Sequence, residues 1–284
     1  MKKWAMIVDS SYNIEENEYD NVYVLPLVIS VATKESQKDY FDNIDINNQQ
    51  LCQFLNNGAD VKTSQPIPGK FLELTEKLSK EYENVYCFPI TQTLSGTYNT
   101  WKNMVSEFNN VRVYDQRMVG AISKWMIKDL INQKDNLTDQ YINKYLENTL
   151  NTRAGAVIVP DITQLKKGGR VSNFKSIFIK LLGLKLIITL DKNGLLFKDK
   201  AGKLESAVDT NLVELDKILS YSTKKIKRAL LLYNDCKNEK FNINEMIKLT
   251  ENKFPNIKFE KTVLPAVITA HLGPNYFAVA FDVE

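Results

Sequence analysis

Short apolar runs alternate with amphipathic stretches through the first half of the chain. Trp4–Val8 and Val22–Ile29 have the length and continuity of buried strands. Leu51, Phe54 and Leu55 share one helical face within Asn48–Asn57. Phe71, Leu74, Leu78 and Tyr82 recur every three or four residues after Pro68, which predicts a helix starting there. Val85–Ile90 is again strand-like. Tyr98, Trp101, Met104, Val105 and Phe108 line one face of a helix, Val111–Tyr114 is a strand, and helical patterns follow near Met118–Leu130 and Gln140–Leu150. Strands that alternate with helices predict parallel pairing in a three-layer α/β/α arrangement.

The second half has a different rhythm. Ala156–Val159 reads as a strand. Ser172 caps a predicted helix carrying Phe174, Ile177, Phe178, Leu181 and Leu182, with Gly183 as its stop. Lys185–Leu190 and Leu195–Lys198 flank Asp191-Lys192-Asn193-Gly194, and Asn-Gly between two apolar runs predicts a hairpin, hence antiparallel pairing. Val208, Leu212, Leu215 and Leu219 mark a long helix, and Ala229–Tyr233 a strand. Asn242 with Glu245 resembles a capping box. Lys258–Leu264 and Tyr276–Val283 close the chain as expected strands, with His271 in a turn between them. The change of character divides the chain into an N-terminal α/β domain with a mainly parallel sheet, residues 1–155, and a C-terminal α/β domain with a mixed sheet, residues 156–284.

Composition narrows the function. Of 284 residues, 44% are hydrophobic and 25% charged, as in an ordinary globular protein. A net charge of +3 gives no footprint for nucleic acid or an anionic membrane. The cluster Lys224, Lys225, Lys227 and Arg228 precedes an apolar strand and reads as a solvated element end. The apolar run after Met1-Lys2-Lys3 stops at Asp9, short of the roughly 7–15 residues of a signal-peptide core, so it reads as a first strand. No run approaches the ~20 apolar residues of a membrane span. Cys52, Cys87 and Cys236 have neither metal-ligand nor disulfide-framework spacing, which fits a reducing cytoplasm. His271 is the sole histidine, too few for a His-rich zinc site, and no cofactor is expected.

Four segments carry candidate chemistry. Thr91-Gln92-Thr93-Leu94-Ser95-Gly96-Thr97 joins a strand to a helix, where α/β sheets bind ligands beyond their strand ends. Its hydroxyls, the bare backbone at Gly96 and the helix N-terminus suit a carboxylate or phosphate, while a plain helix cap explains Ser95 or Thr97 equally well. Thr63-Ser64-Gln65-Pro66 lies between a polar turn and a helix, and gains a functional reading if it neighbours Ser95. His271, in Ala270-His271-Leu272-Gly273-Pro274, can donate a hydrogen bond to an anion in either charge state. Arg170, in Lys166-Lys167-Gly168-Gly169-Arg170, can contact an anion through two N–H groups or belong to a solvated turn.

Taken in order, Ile7-Val8-Asp9-Ser10, Thr63-Ser64-Gln65-Pro66, Leu94-Ser95-Gly96-Thr97-Tyr98, Gly168-Gly169-Arg170-Val171-Ser172 and His271-Leu272-Gly273-Pro274 resemble the DegV family nearly end to end. The resemblance implies two α/β domains holding a long-chain fatty acid, such as palmitate or oleate, between them. It assigns the carboxylate to the hydroxyls of Thr63 and Ser95, the backbone N–H of Gly96, and His271. It places Arg170 near the entrance, in reach of a phosphate or a partner. It further implies that the protein is a carrier, which presents its fatty acid to a separate fatty-acid kinase for acyl-phosphate formation and phospholipid synthesis. Candidate tail-lining residues are Phe174, Ile177, Phe178 and Ile188, which ordinary core packing would explain as well. The chain departs from the family pattern at Asn275 after Gly273-Pro274, at Leu184-Lys185-Leu186, and at Asp115-Gln116. A competing reading from the residues alone is a serine hydrolase with Ser95 as nucleophile and His271 as base. Against it, the loop lacks a Gly-x-Ser-x-Gly elbow and no acidic partner for His271 is evident.

Overall fold

The computed structural model describes residues 2–133, 136–169, 183–234, 236 and 241–284. The Ser172-capped helix, Arg170, Phe174, Ile177 and Phe178 lie outside the described residues.

The N-terminal elements are β1 (Lys2–Asp9), β2 (Val22–Leu25), β3 (Val28–Ala32), β4 (Gln37–Phe41), α1 (Asn48–Asn56), β5 (Asp60–Ser64), α2 (Pro68–Glu81), β6 (Tyr82–Phe88), α3 (Thr97–Met104), β7 (Val111–Val113), α4 (Ala121–Ile131) and α5 (Asp139–Thr149). Strands β2-β1-β6-β7 form an all-parallel sheet. Side chains alternate across it, as strand geometry requires. Ala5 and Ile7 of β1 meet Phe71 and Leu78 of α2 and Trp101 of α3. Met6 and Val8 meet Met126, Ile127 and Leu130 of α4 and Ile142 of α5. Burial on both faces explains why β1 reads as a continuous apolar run. Pro68 starts α2 at a position that needs no N–H donor.

The expected single strand Val22–Ile29 is two strands in two sheets. Pro26 separates them, since it cannot donate to a ladder. β3 instead centres a small antiparallel sheet, β4-β3-β5, which sequence periodicity did not reveal. Its outer strands are short and polar, with Gln37–Phe41 largely exposed. Thr63, expected in a loop, therefore lies on a strand, paired with Ile29.

The remaining elements are β8 (Arg153–Val159), α6 (Thr163–Lys167), β9 (Lys185–Asp191), β10 (Gly194–Ala201), α7 (Leu204–Leu219), β11 (Ile226–Asn234), α8 (Ile243–Lys253), β12 (Glu260–Thr262), α9 (Ala266–Leu272) and β13 (Tyr276–Val283). They build a mixed six-stranded sheet, β10-β9-β8-β13-β11-β12. The β9–β10 hairpin turns at Lys192-Asn193 with Gly194 at φ 92°, a left-handed conformation suited to glycine. One sheet face packs on Val208, Leu212 and Leu215 of α7 and Met246 of α8. The other faces Ile122 and Trp125 of α4. Helix α4 thus lies between the two large sheets, with different faces turned to each.

The run Lys258–Leu264 yields only the three-residue strand β12, because Pro265 ends it and opens a helix. His271 is therefore in the last turn of α9, not in a turn between strands. The cysteine spacing argued against a disulfide, yet Cys52 of α1 and Cys236, just beyond β11, are disulfide-bonded across 184 residues of sequence. Only the tertiary fold brings them together. In a reducing compartment the same geometry leaves two adjacent thiols.

A four-charge cluster ties α4 to the mixed sheet. Arg228 donates to both Asp129 oxygens at 2.8 Å, and Arg153 Nη2 reaches Asp129 Oδ2 at 2.8 Å. Both arginines also pair with Asp282. Burial alone would raise the Asp129 pKa, but its bonds from Arg228 and Tyr145 outweigh that and hold it below the ordinary carboxylate range.

Candidate functional site

Thr63, Ser95 and His271 come from three separate elements and line one cavity. Thr63 is the penultimate residue of β5, Ser95 lies in the loop between β6 and α3, and His271 lies in α9. Thr63 Oγ1 and His271 Nε2 are 2.7 Å apart, a hydrogen bond whose direction depends on the imidazole tautomer. Ser95 Oγ lies 2.8 Å from Thr97 Oγ1 and accepts the Thr97 N–H at 3.3 Å. Ser95 thus closes the first turn of α3 and is also among the residues that line the cavity. Its hydroxyl bonds with Thr97, not with His271, so no nucleophile–base pair is set up.

Gly96 lies beside the lining residues, as the N-cap of α3. Its φ of −72° makes no special demand for glycine, but nothing lies within 4 Å of where a β-carbon would stand. The backbone there is open to close approach. Ile188 of β9 is buried and lines the cavity. Beyond the polar rim of Thr63, Ser64, Gln65, Ser95 and His271, the walls are aliphatic. Leu27, Ile90, Ile122, Val157, Leu190 and Ile268 are among them.

Two buried carboxylates hold this rim in place, and sequence reasoning gave neither a role. Asp9, at the end of β1, accepts the Ile90 N–H at 2.6 Å through Oδ2. Its Oδ1 accepts both the N–H and the hydroxyl of Ser11. Asp9 therefore anchors the start of the loop that carries Ser95. Asp115 steadies the same loop by accepting the Gln92 N–H at 3.3 Å. Asp42, just after β4, accepts the Val267 N–H at 3.2 Å through Oδ1 and the Ser10 hydroxyl at 2.7 Å through Oδ2. Ser10 Oγ in turn accepts the Leu27 N–H at 3.1 Å. Asp42 thus fixes the first turn of the helix whose last turn carries His271. Burial pushes the pKa of Asp9 up to about 6 and that of Asp42 up to about 7, against the lowering effect of these donors. The detectable signal was an acidic residue directly ending an apolar strand in Ile7-Val8-Asp9-Ser10.

Gly168, at the end of α6, backs the imidazole, and a β-carbon there would overlap His271. The tip of the β9–β10 hairpin reaches the loop that carries Ser95, since a β-carbon on Gly194 would lie 3.2 Å from Cβ of Thr93. Among the described residues, no group of His, Cys, Asp or Glu side chains has the arrangement of a metal site. None of the described helices is long and apolar enough to cross a membrane.

The family model described as "Uncharacterised protein, DegV family COG1307" matches residues 3–284. The chain belongs to the DegV family. A DegV domain-containing protein of Mycoplasma genitalium is 28% identical over 298 aligned positions, spanning 100% of this chain and 99% of the relative. Among solved structures, a fatty-acid-binding DegV family protein of Streptococcus agalactiae superposes with a TM-score of 0.84 at 20% identity, with 100% of both chains covered. A DegV family protein of Thermus thermophilus, described by its fatty acid binding, superposes with a TM-score of 0.82 at 22% identity, again over 100% of both chains. These likenesses establish a DegV fold over the whole length of the chain.

Proposed function

We propose that this protein binds a long-chain fatty acid such as palmitate or oleate, with its carboxylate at Thr63, Ser95, the Gly96 N–H and His271. The observation that carries the reading is the division of the cavity into a polar rim and aliphatic walls, which matches a carboxylate and an alkyl tail. The fatty-acid binding described for DegV neighbours supports it. In this reading the ligand lies between an N-terminal domain, residues 1–155, and a C-terminal domain, residues 156–284.

Magnitudes separate the roles of head and tail. Each buried methylene is worth ~0.8 kcal/mol, so a sixteen-carbon tail offers on the order of 10 kcal/mol before association costs. Hydrogen bonds to a charged carboxylate contribute roughly 1.5–3 kcal/mol each. The tail supplies most of the affinity, and the polar rim fixes orientation and depth. The protein is a carrier and not an enzyme in this account. It presents the carboxylate, in the cytoplasm, to a separate fatty-acid kinase that makes an acyl-phosphate for lipid synthesis, with Arg170 contacting the phosphate or the kinase.

Protein purified from a bacterial host and analysed by native mass spectrometry with lipid extraction should carry fatty acid. A cavity that is empty and also refuses added palmitate and oleate overturns the reading. Saturable ester hydrolysis that Ser95→Ala abolishes would establish a hydrolase instead.

A further inference from the structure

We propose that Ile122 sets the length of acyl chain the cavity accepts, by forming the wall between the cavity and a second, smaller space beyond it. The inference rests on the fatty-acid reading and specifies how far the tail runs.

Strand β8 provides the axis. Residues two apart on a strand share a face, so Val159, Val157, Gly155 and Arg153 succeed one another along the side turned to α4. The C-terminal end of β8 leads into α6 and Gly168, which backs His271, so the head group lies at the Val159 end. Val157 and Gly155 line the cavity. Arg153 does not. It lines a smaller space with Met118, Met126, Leu146 and Leu150, whose polar side is Gln116 and Thr149.

Among the described residues, Ile122 is the side chain that borders both spaces. It sits over Gly155, where a β-carbon would lie 3.1 Å from its Cδ1. The absence of a side chain at Gly155 lets Ile122 lean onto the strand and close the passage. The smaller space is lined by two methionines, which repack readily. Its far limit is Arg153, held by Asp129 and Asp282. An alkyl tail cannot displace a paired, largely buried guanidinium without stranding the carboxylates. Among the described residues, an extension past Ile122 runs as far as Arg153. Two strand residues span about 7 Å, or roughly six carbon–carbon bonds of an extended chain.

The test uses the delipidated full-length protein and straight-chain tetradecanoic, hexadecanoic, octadecanoic and eicosanoic acids, with affinities compared by native mass spectrometry. Ile122→Ala should shift the preference toward longer acids and raise the eicosanoic-to-octadecanoic affinity ratio roughly tenfold, the effect of burying two more methylenes. Ile122→Val removes only the methyl that rests on Gly155. It should move the ratio in the same direction by a smaller factor, and it decides the matter if the alanine variant does not fold. An unchanged length preference in a folded variant that still binds acids overturns the role of Ile122 and leaves the fatty-acid reading standing. Failure of the wild-type protein to bind any of the four acids overturns the fatty-acid reading itself.

Discussion

Gly168 lies so close to the imidazole of His271 that a β-carbon on it would stand 2.3 Å from Nδ1. At this position, with an ordinary negative φ, glycine is needed for space and not for its conformational freedom. Gly168→Ala should displace His271 and break its 2.7 Å contact with Thr63. Overpacking of this kind costs about 1–3 kcal/mol of stability, and loss of the His271 hydrogen bond to the carboxylate, worth roughly 1.5–3 kcal/mol, should lower fatty-acid affinity about tenfold or more. His271 is the one histidine in the sequence, so its imidazole NMR signals report on the site without assignment ambiguity. They should shift in Gly168→Ala, and the added methyl should cost little in a His271→Ala background.

Asp42 and Asp9 make stability depend on pH. Each has a folded-state pKa raised above its ordinary value of 3.8, to about 7 and about 6. Between the unfolded and folded values the native state binds more protons than the unfolded chain. Their contribution to stability is therefore full at about pH 4 and is lost as pH rises to about 7. Asp42→Asn keeps an acceptor for the Val267 N–H while removing the charge. Thermal unfolding should show it a few degrees more stable than wild type at pH 8, with the gap closing at pH 5. A variant less stable than wild type at pH 8 would show that the charged hydrogen bonds outweigh burial.

The Cys52–Cys236 disulfide predicts a definite thiol inventory. Cys87 is buried, and burial pushes its thiol pKa far up, so it is unreactive in the native state. Oxidised native protein should therefore show essentially no reactive thiol to a thiol-specific reagent. One should appear on unfolding, and three after reduction, matching the three cysteines of the sequence. Three thiols on unfolding without reductant would mean that Cys52 and Cys236 are not bonded.

Much of this architecture was legible in the pattern of apolar residues. Buried strands such as β1 and amphipathic helices such as α7 announce themselves, because both are dictated by the large cores they bury into. The β4-β3-β5 sheet was not legible, since its outer strands are polar and nearly solvent-facing. Pro265 hid α9, because a proline after a strand-like run looks like a turn until the following residues are seen to pack. The positions of Thr63, Ser95 and His271 were carried by family resemblance. Their mutual geometry was not, because it depends on Asp42 and Val267 meeting across 225 residues of sequence. No local pattern encodes such a contact.

The head-group claim is tested most directly by comparing hexadecanoic acid with its methyl ester, which keeps the tail and removes the negative charge. Delipidated wild-type protein should bind the acid roughly ten to a hundred times more tightly, the worth of one charge-assisted hydrogen bond. In the Thr63→Val, Ser95→Ala double variant that ratio should fall severalfold, with the Gly96 N–H and His271 keeping the remainder, while tail-driven binding persists. Equal binding of acid and ester by the wild-type protein, or a ratio undiminished by loss of both hydroxyls, would contradict a carboxylate held by Thr63, Ser95 and His271.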